Sequence, residues 1–529
     1  MEPAAAWVPC DFQLAPCWSV EPGDFQLANW AMEEQGAVWA PGLPVQESEF
    51  TDITGSCLQT SSPSSSRGGQ LIAHAAATSH SDPIDKAAQE LEVDFHNMQM
   101  TIHNSNHVNP IHVLEEVASE FKADIDMMKT KIHRYPASIR ALGELYTVPT
   151  TVAVGPYHHG QHHLKAAEKV KHVAAYHCIR ESGCSVQEMY DAVVAVADDA
   201  RRLYDKDVMA GIHYDDFRHM MFFDACFLVQ YMLLHTSARV DPSLRSFFGS
   251  NANNIFHDTM LLENQLPWQV VEAVMRFRNV SLREFVGSLR GWLLERRDPD
   301  QKRFASDDDN YKPPHLLGLL RFCTVGRNTR KLPPIPQTES IPFSASAVEL
   351  AEIGVTLTPG KTTELIRMRM KKKWTLFTKL SLAPLTLDNV RASCLVNMAA
   401  LETCSVQSFS GAPDEDSAVC SYLLLLSTLV QKKEDVVELR QKRILQGRGG
   451  LLTNNDDALN FFTSLQNLRL GSCYVRIMEA VEDYKIHKQR RDKVKAFVYK
   501  NMKIIIAVIT TIAAVVSILG TLMPRLKSR

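Results

Sequence analysis

Apolar residues recur at intervals of three and four along most of residues 82–484, which predicts a mainly α-helical globular body. One apolar stripe follows Asp82-Pro83 and a second follows Pro110, as expected where proline opens a helix. Residues 217–234 are apolar nearly all round, so they predict a central buried helix. Helical patterns also occur over 258–277 with a break before Pro267, over 422–439, over 459–468 and from Tyr474 onward.

The period changes from helix to strand near the middle of the body. Ile366, Met368 and Met370 alternate with basic residues, and Leu382, Leu385 and Leu387 can continue the strand. We therefore predict a short β patch near residues 353–388. The fold class is thus a mainly α-helical body with a small β element.

The basic residues 371–373 of this patch admit two interpretations. They can contact phosphates or act as a nuclear signal, or they can form the solvated face of a small sheet, which is the commoner case. Residues 354–362 resemble a phosphate-binding loop, but five residues separate the glycines and a strand follows, so we reject that motif.

Residues 1–81 are predicted to form a disordered acidic tail. Residues 1–80 carry nine acids, one base and no lysine, and they repeat Asp-Phe-Gln-Leu-Ala at 11–15 and 24–28. The repeat is either a docking motif or a neutral duplication. Two further polar segments, 296–314 and 326–342, are predicted to be loops inside the body.

An uncharged apolar segment begins at Ile504 and ends at Met523, and its twenty residues suit one transmembrane helix across about 30 Å of hydrocarbon. A buried core helix is the alternative. Eight basic residues lie in the juxtamembrane segment 485–503 and three in the short basic tail 524–529, which places the body on the cytoplasmic side. We therefore expect a single-pass, tail-anchored protein whose partner is a lipid bilayer, in a membrane that the sequence does not specify.

The juxtamembrane segment 485–503 also admits two interpretations. Its lysines and arginines can lie on anionic headgroups, or they can be a solvated flank that only sets the orientation. The sequence leaves both open.

Composition narrows the remaining function classes. The formal net charge is −3, from 57 basic and 60 acidic residues, so nucleic acid is not an expected partner. Eleven cysteines without a C-x-x-C pair are typical of reduced thiols in a cytosolic body. The sequence contains neither a serine-hydrolase elbow nor the kinase signature set.

Four histidines within residues 155–163 are the most conspicuous polar cluster. His158 and His162, like His159 and His163, are four residues apart and would share a helix face, where they could hold a metal ion. However, Gly155, Pro156 and Gly160 favour a turn, and no carboxylate or cysteine completes a known ligand spacing. Ordinary hydrogen-bonding loop histidines are the favoured interpretation.

Asp224 interrupts the apolar helix and therefore needs a partner such as a tyrosine, an arginine or a backbone amide. A buried acid also permits an enzymatic hypothesis in which Asp258 or Glu263 supplies the second carboxylate. Glu263, Asn264 and Gln265 could line such a site. The simpler interpretation is that they end one helix before Pro267 and cap the next.

These residues together resemble a plant family catalogued as domain of unknown function 247. The hallmark of the match is Tyr146-Thr-Val-Pro149 followed by Val152-Ala-Val-Gly-Pro-Tyr-His-His-Gly160, and other landmarks occur in order along the chain. They are Ile132-His-Arg-Tyr-Pro136, Glu168 with Lys171, Asp224-Ala-Cys-Phe-Leu228, Asp258, Leu261-Leu-Glu-Asn-Gln-Leu-Pro267, His315-Leu-Leu317, Ala347-Val-Glu-Leu350 with Gly354-Val355, and the final apolar span. The resemblance runs from about residue 90 to the end.

The resemblance implies a largely helical plant membrane protein without an assigned activity, and some members of the family are implicated in self-incompatibility recognition in grasses. It supplies no catalytic residue to carry over. Its motif residues in this chain are Gly155, Pro156, Tyr157, His158, His159, Gly160, Asp224, Asp258, Glu263, Asn264, Gln265 and Pro267. The chain departs from the family pattern at Ala153, Ala225 and Asn501-Met502, and in its long acidic tail.

The preferred hypothesis is a noncatalytic, membrane-anchored protein that interacts with other proteins in signalling or recognition. We assign no catalytic, cofactor or metal residue. One alternative is a hydrolase-like enzyme using Asp224, Asp258, Glu263 and the histidines of 158–163, and another is a metal-binding module.

Overall fold

The computed structural model describes residues 110–295, 311–327, 345–373, 377–447, 449–452 and 454–526. The tail 1–81, the helix predicted after Asp82-Pro83 and most of the two predicted loops lie outside these residues. The predicted fold class is confirmed, because helices dominate the described chain and strands are few and short.

The first half of the body is a succession of helices: α1 (Pro110–Met127), α2 (Ala137–Arg140), α3 (Lys165–Ser182), α4 (Val186–Arg201), α5 (Lys206–Ala210), α6 (Tyr214–Leu234), α7 (Pro242–Ser250), α8 (Ala252–Thr259), α9 (Trp268–Met275) and α10 (Leu282–Leu294). After Tyr311 the helices are α11 (Leu316–Val325), α12 (Ala347–Glu352), α13 (Asn389–Ser405), α14 (Ala418–Leu429), α15 (Lys433–Gln441), α16 (Asn455–Ser464), α17 (Ser472–Lys500) and α18 (Met502–Leu526).

The strands form two small sheets. In the first, β1 (Val355–Pro359) pairs in parallel with β3 (Phe377–Leu382), and β2 (Arg369–Lys373) pairs antiparallel on the other side of β3. In the second, β4 (Leu385–Thr386) pairs in parallel with β5 (Leu445–Gln446). All five are too short to stand alone, and their inward residues Val355, Leu357 and Leu380 are buried in the core.

Helix α6 is the centre of the first half, as the sequence predicts. At the start of the helix, the His213 side chain accepts a hydrogen bond from the Asp215 amide. The negative charges of Asp215 and Asp216 in the first turn interact favourably with the positive end of the helix dipole. The helix is buried on nearly every face from Phe217 to Leu233 and contacts α3, α4 and α9. It therefore carries Asp224 into the interior.

Four sequence predictions differ from the structure in detail. The segment 258–277 breaks at Met260, well before Pro267, and the predicted helix 422–439 divides into α14 and α15 at residues 430–432. The helix predicted over 459–468 is α16 followed by a short 3₁₀ turn at Leu465–Asn467. Ile366 lies in another 3₁₀ turn, Leu365–Arg367, so the strand begins three residues later than its alternation suggests.

Local side-chain bonding explains the earliest of these breaks. The Asn264 amide donates to the Asp258 carbonyl at 2.9 Å, and the Gln265 amide donates to the carbonyls of Thr259 and Leu261 at 2.7 and 2.8 Å. These bonds satisfy carbonyls at the end of α8 without further helical turns. The prediction that residues 263–265 also cap the next helix was wrong, because Pro267 is the N-cap residue of α9 and no side chain caps that helix.

Helix α18 is the segment in which the sequence predicts a membrane span. By length and composition, Met502–Leu519 can cross a membrane, and none of it is buried against the rest of the protein. The side chains of Ile504, Ile506, Val508 and Ile512 are each more than half exposed. A core helix would bury such residues, so within the described residues α18 is not part of the core of the body.

Candidate functional site

Asp258 holds an extended backbone segment by its carboxylate. The side chain is fully buried at the end of α8. Its Oδ1 accepts from the Thr150 amide at 2.8 Å, and its Oδ2 accepts from the amides of Thr151 and Val152 at 2.6 and 2.8 Å. The His257 Nδ1 lies 2.9 Å from Oδ1. Both oxygens are therefore occupied by protein donors.

The Asn264 side chain binds the same segment at the backbone groups that a neighbouring strand would otherwise pair with. Its Oδ1 accepts from the Val154 amide at 2.7 Å, and its Nδ2 donates to the Val152 carbonyl at 3.0 Å. Residues 152–154 have no β-sheet partner in the described chain, yet their buried polar groups are satisfied. A side-chain amide thus replaces the backbone of a strand.

Asp224 completes this arrangement at Gly155. The Gly155 amide donates to Asp224 Oδ2 at 2.8 Å, and Lys171 Nζ lies 2.6 Å from Oδ1. Asp224 is 1% exposed and Lys171 is wholly buried. Burial raises the pKa of the Asp224 carboxyl, and the Lys171 ammonium and the Gly155 amide oppose that rise. We call Asp224, Asp258 and Asn264, with the backbone of residues 150–155, the motif clamp.

Gly155 has a backbone conformation that suits glycine. Its φ is +77°, and a Cβ atom there would lie 2.7 Å from the Gln265 carbonyl oxygen and 3.0 Å from the Tyr204 hydroxyl. The Tyr204 hydroxyl donates to that same carbonyl at 2.9 Å. The glycine lets two buried segments approach closely.

Gln265 connects the motif clamp to the next part of the body. Its Oε1 accepts from the Leu317 amide at 3.0 Å and lies 3.1 Å from His315 Nδ1, at the start of α11. Burial lowers the pKa of His315 to about 3, so this imidazole is neutral at neutral pH. The amide of Gln265 therefore joins the end of α8 to α11 without any charge.

Glu263 and His158 are the two candidate acid–base groups that the fold brings near each other. Glu263 Oε2 lies 4.0 Å from His158 Nε2, Oε1 accepts from the Tyr135 amide at 2.7 Å, and Arg134 Nε is 3.4 Å away. Burial raises the pKa of Glu263, whereas burial and then the Arg134 charge lower the pKa of His158 to about 4. At neutral pH His158 is neutral, so this contact is not an ion pair.

The other histidines do not share the helix face that the metal-site alternative requires. Residues 155–160 form turns, with Gly160 at a φ of +79°, and His162 and His163 lie in a 3₁₀ turn. His159, His162 and His163 are exposed, and His163 Nε2 bonds the Pro149 carbonyl at 3.0 Å. Within the described ranges, no three His, Cys, Asp or Glu side chains are grouped so that they could hold a metal ion.

Asn397 is a buried residue of this site that the sequence analysis missed. Its Oδ1 accepts from the Leu262 amide at 2.8 Å and from the Tyr135 hydroxyl at 2.7 Å, and its Nδ2 donates to the Tyr146 carbonyl at 3.0 Å. It thereby ties the loop after α8 to α13. Its only signal in the sequence is a polar amide between the apolar residues Val396 and Met398, and this signal names no partner.

Glu402 and Asp435 also bind backbone amides through their carboxylates, in the second half of the body. The Glu402 carboxylate accepts from the amides of Val419 and Cys420 at 3.0 and 2.8 Å, and the Asp435 carboxylate from the Val348 amide at 2.9 Å. Both acids are buried. Buried carboxylates in this body therefore bind backbone amides at the joins between elements.

Comparison with known proteins matches most of the chain to one family. The family model described as plant protein of unknown function, DUF247, matches residues 132–519. The chain belongs to the DUF247 family. A UPF0481 protein of Arabidopsis thaliana is 25% identical to this DUF247 chain over 360 residues, which are 63% of this chain and 72% of the relative. No solved structure matches it.

The matched range of this DUF247 protein includes the motif clamp, Glu263, Gln265 and the four histidines. Their arrangement can fix a backbone, but it leaves the carboxylates of Asp224 and Asp258 with no open side towards a substrate, because these residues are 1% and 0% exposed. The residues of the family motif in this chain thus mainly form buried hydrogen bonds within the protein.

Proposed function

We propose that this DUF247 protein is a noncatalytic, membrane-anchored component that acts by binding other proteins, with its helical body on the cytoplasmic side. The observation that carries the proposal is the bonding of the motif carboxylates. The Asp258 carboxylate accepts hydrogen bonds from three backbone amides. The Asp224 carboxylate accepts one from the Gly155 amide and forms an ion pair with Lys171. Catalytic acids and bases need access to substrate, and these two have none.

The exposed apolar helix α18 supports the membrane part of the proposal. Its first 18 residues contain one charge, Lys503, and are not buried. Eight basic residues in 485–503 outnumber the three in 524–529, and the more basic flank of a span generally stays in the cytoplasm. The body precedes that flank, so the body shares its side.

Deleting residues 504–529 is expected to release the body from the membrane into the soluble fraction of plant cells. The reason is that α18 buries nothing in the body, so its removal takes away the lipid contact and leaves the core complete. The measurement is fractionation followed by alkaline carbonate extraction. Proximity labelling from the body should then identify a different set of neighbouring proteins in the two forms.

A matched control replaces residues 504–523 with twenty leucine and alanine residues of similar hydropathy. This variant should remain in the membrane, because crossing depends on length and apolarity rather than on sequence. Protease added to the cytoplasmic side of sealed membranes should digest the body of both anchored forms. Retention of the deleted form in the membrane, or a protected body, would contradict the proposal.

A further inference from the structure

Helices α17 and α18 join with almost no interruption. The Asn501 amide donates to the Phe497 carbonyl at 3.0 Å, and the Ile505 amide donates to the Asn501 carbonyl at 2.9 Å, so the helical bonding pattern continues through the join. Tyr484 is the last buried residue of α17. From Tyr484 to Lys503 a helix rises about 28 Å. Lys488 Nζ still contacts the Glu352 carbonyl at 3.5 Å, so the body reaches to about 22 Å from Lys503 along the helix.

The residues just before the span form a cationic surface. Lys495, Lys500 and Lys503, which we call the basic collar, are exposed, and no carboxylate pairs with them anywhere in the described chain. Along a helix, Lys500 lies about 4.5 Å and Lys495 about 12 Å from Lys503. Polar headgroups occupy about 5–7 Å of each leaflet, and charge is felt about 8 Å further, so all three lysines are within reach.

A shallow groove starts at Lys503 and runs down the span. It is lined by Ile504, Ala507, Val508, Thr511 and Ile512. The Thr511 hydroxyl donates to the Ala507 carbonyl at 2.8 Å, so it presents its methyl group and no free donor to the groove. A cation above an apolar groove matches the shape and chemistry of a phospholipid with an anionic headgroup.

Two aromatic side chains lie within the basic collar, between Lys495 and Lys500. Phe497 is 65% exposed and Tyr499 is 81% exposed, although both lie on a helix that belongs to a folded body. Aromatic residues are enriched where a span meets the headgroup region, because their rings are partly apolar and partly polar. Their position supports a lipid surface at this level of the helix.

We propose that the basic collar binds the headgroups of anionic phospholipids, with an acyl chain lying along the groove below Lys503. This inference rests on the proposed function, since it needs α18 in a bilayer. The charge of the collar, its distance from the span and the apolar groove all favour a lipid of the same membrane as the ligand. The collar then fixes the depth of the span as well as its orientation.

The basic face of the first sheet provides a matched control. Arg369, Lys371 and Lys379 are exposed on it, and Lys371 lies directly opposite Lys379 across β2 and β3. The sheet lies against α17 near Tyr484, whose hydroxyl donates to the Ile353 carbonyl at 3.1 Å. The contacts of Ile353 and Glu352 with Tyr484 and Lys488 lie about 22–28 Å from Lys503 along the helix, beyond the reach of the headgroup charge.

The test uses the full chain reconstituted in phosphatidylcholine vesicles that contain spin-labelled phosphatidylserine or spin-labelled phosphatidylcholine. Electron paramagnetic resonance measures the fraction of each lipid that the protein immobilises. We expect the natural chain to prefer phosphatidylserine about fivefold, and high salt to reduce this preference. Changing the collar by Lys495→Gln, Lys500→Gln and Lys503→Gln should lower the preference to near one.

The sheet-face variant Arg369→Gln, Lys371→Gln and Lys379→Gln removes the same number of charges and should keep the fivefold preference. Equal immobilisation of both lipids by the natural chain, or an equal loss in both triple variants, would overturn the lipid proposal and leave the membrane anchor intact. If neither lipid is immobilised at all, α18 is outside the bilayer, and the proposed function is contradicted as well.

Discussion

Replacing Asp258 by asparagine should lower the free energy of unfolding by about 3–5 kcal/mol, because it removes the charge that three backbone amides share. Asparagine keeps one acceptor oxygen, but its NH₂ group would face the amides of Thr151 and Val152, two donors that then lack an acceptor. The measurement is thermal unfolding of the purified chain, followed by circular dichroism.

Asp199→Asn is the matched control for this change. The Asp199 side chain is 72% exposed, and its ion pair with Arg202 is equally open to water. Exposed ion pairs of this kind contribute about 0–1 kcal/mol, so the midpoint should barely move. If Asp258→Asn were no more destabilising than Asp199→Asn, the backbone-binding role of Asp258 would be wrong.

Replacing Gly155 by alanine is the second change with a large expected effect, about 2–5 kcal/mol of lost stability. Alanine at a φ of +77° costs about 1–2 kcal/mol by itself. The new methyl group would also lie 2.7 Å from the Gln265 carbonyl oxygen, and neither buried segment can move without disturbing the core. Chemical denaturation in detergent would measure the loss.

Gly160→Ala separates the cost of the backbone conformation from the cost of the close contact with Gln265. Gly160 has a φ of +79°, but a Cβ atom there would meet nothing within 4 Å. Its loss should therefore be limited to the backbone contribution of about 1–2 kcal/mol. Equal losses in the two variants would show that the close approach at Gly155 contributes nothing.

Periodicity predicted those parts of the fold that local sequence determines. Helix α6 and the apolar helix α18 are long and uniform, so their patterns left few alternatives. The pairing of Leu385 with Leu445 was not predicted, because two-residue strands sixty positions apart carry no local signal. Segment ends were also poorly predicted where side chains compete for backbone groups, as after α8.

The candidate site was likewise predicted only where local sequence determines it. Burial of Asp224 in an apolar helix required a partner, and a backbone amide was among those expected; the Gly155 amide is one, whereas Lys171 was not named as the other. Sequence identified the acids at 258 and 263 but not what they bind. Their partners lie more than a hundred residues earlier, at Thr150 and Tyr135, where only the folded chain brings them.

The motif clamp fixes the backbone of residues 150–155 in the core. The most direct measurement is hydrogen exchange at the amides of Thr151, Val152, Val154 and Gly155, compared with α6 and with residues 159–163. We predict that these four amides exchange only on global unfolding, as slowly as the buried amides of α6. This protection is expected although the segment belongs to neither a helix nor a sheet. Exchange as fast as at the exposed His159, His162 and His163 would contradict this role of the motif clamp.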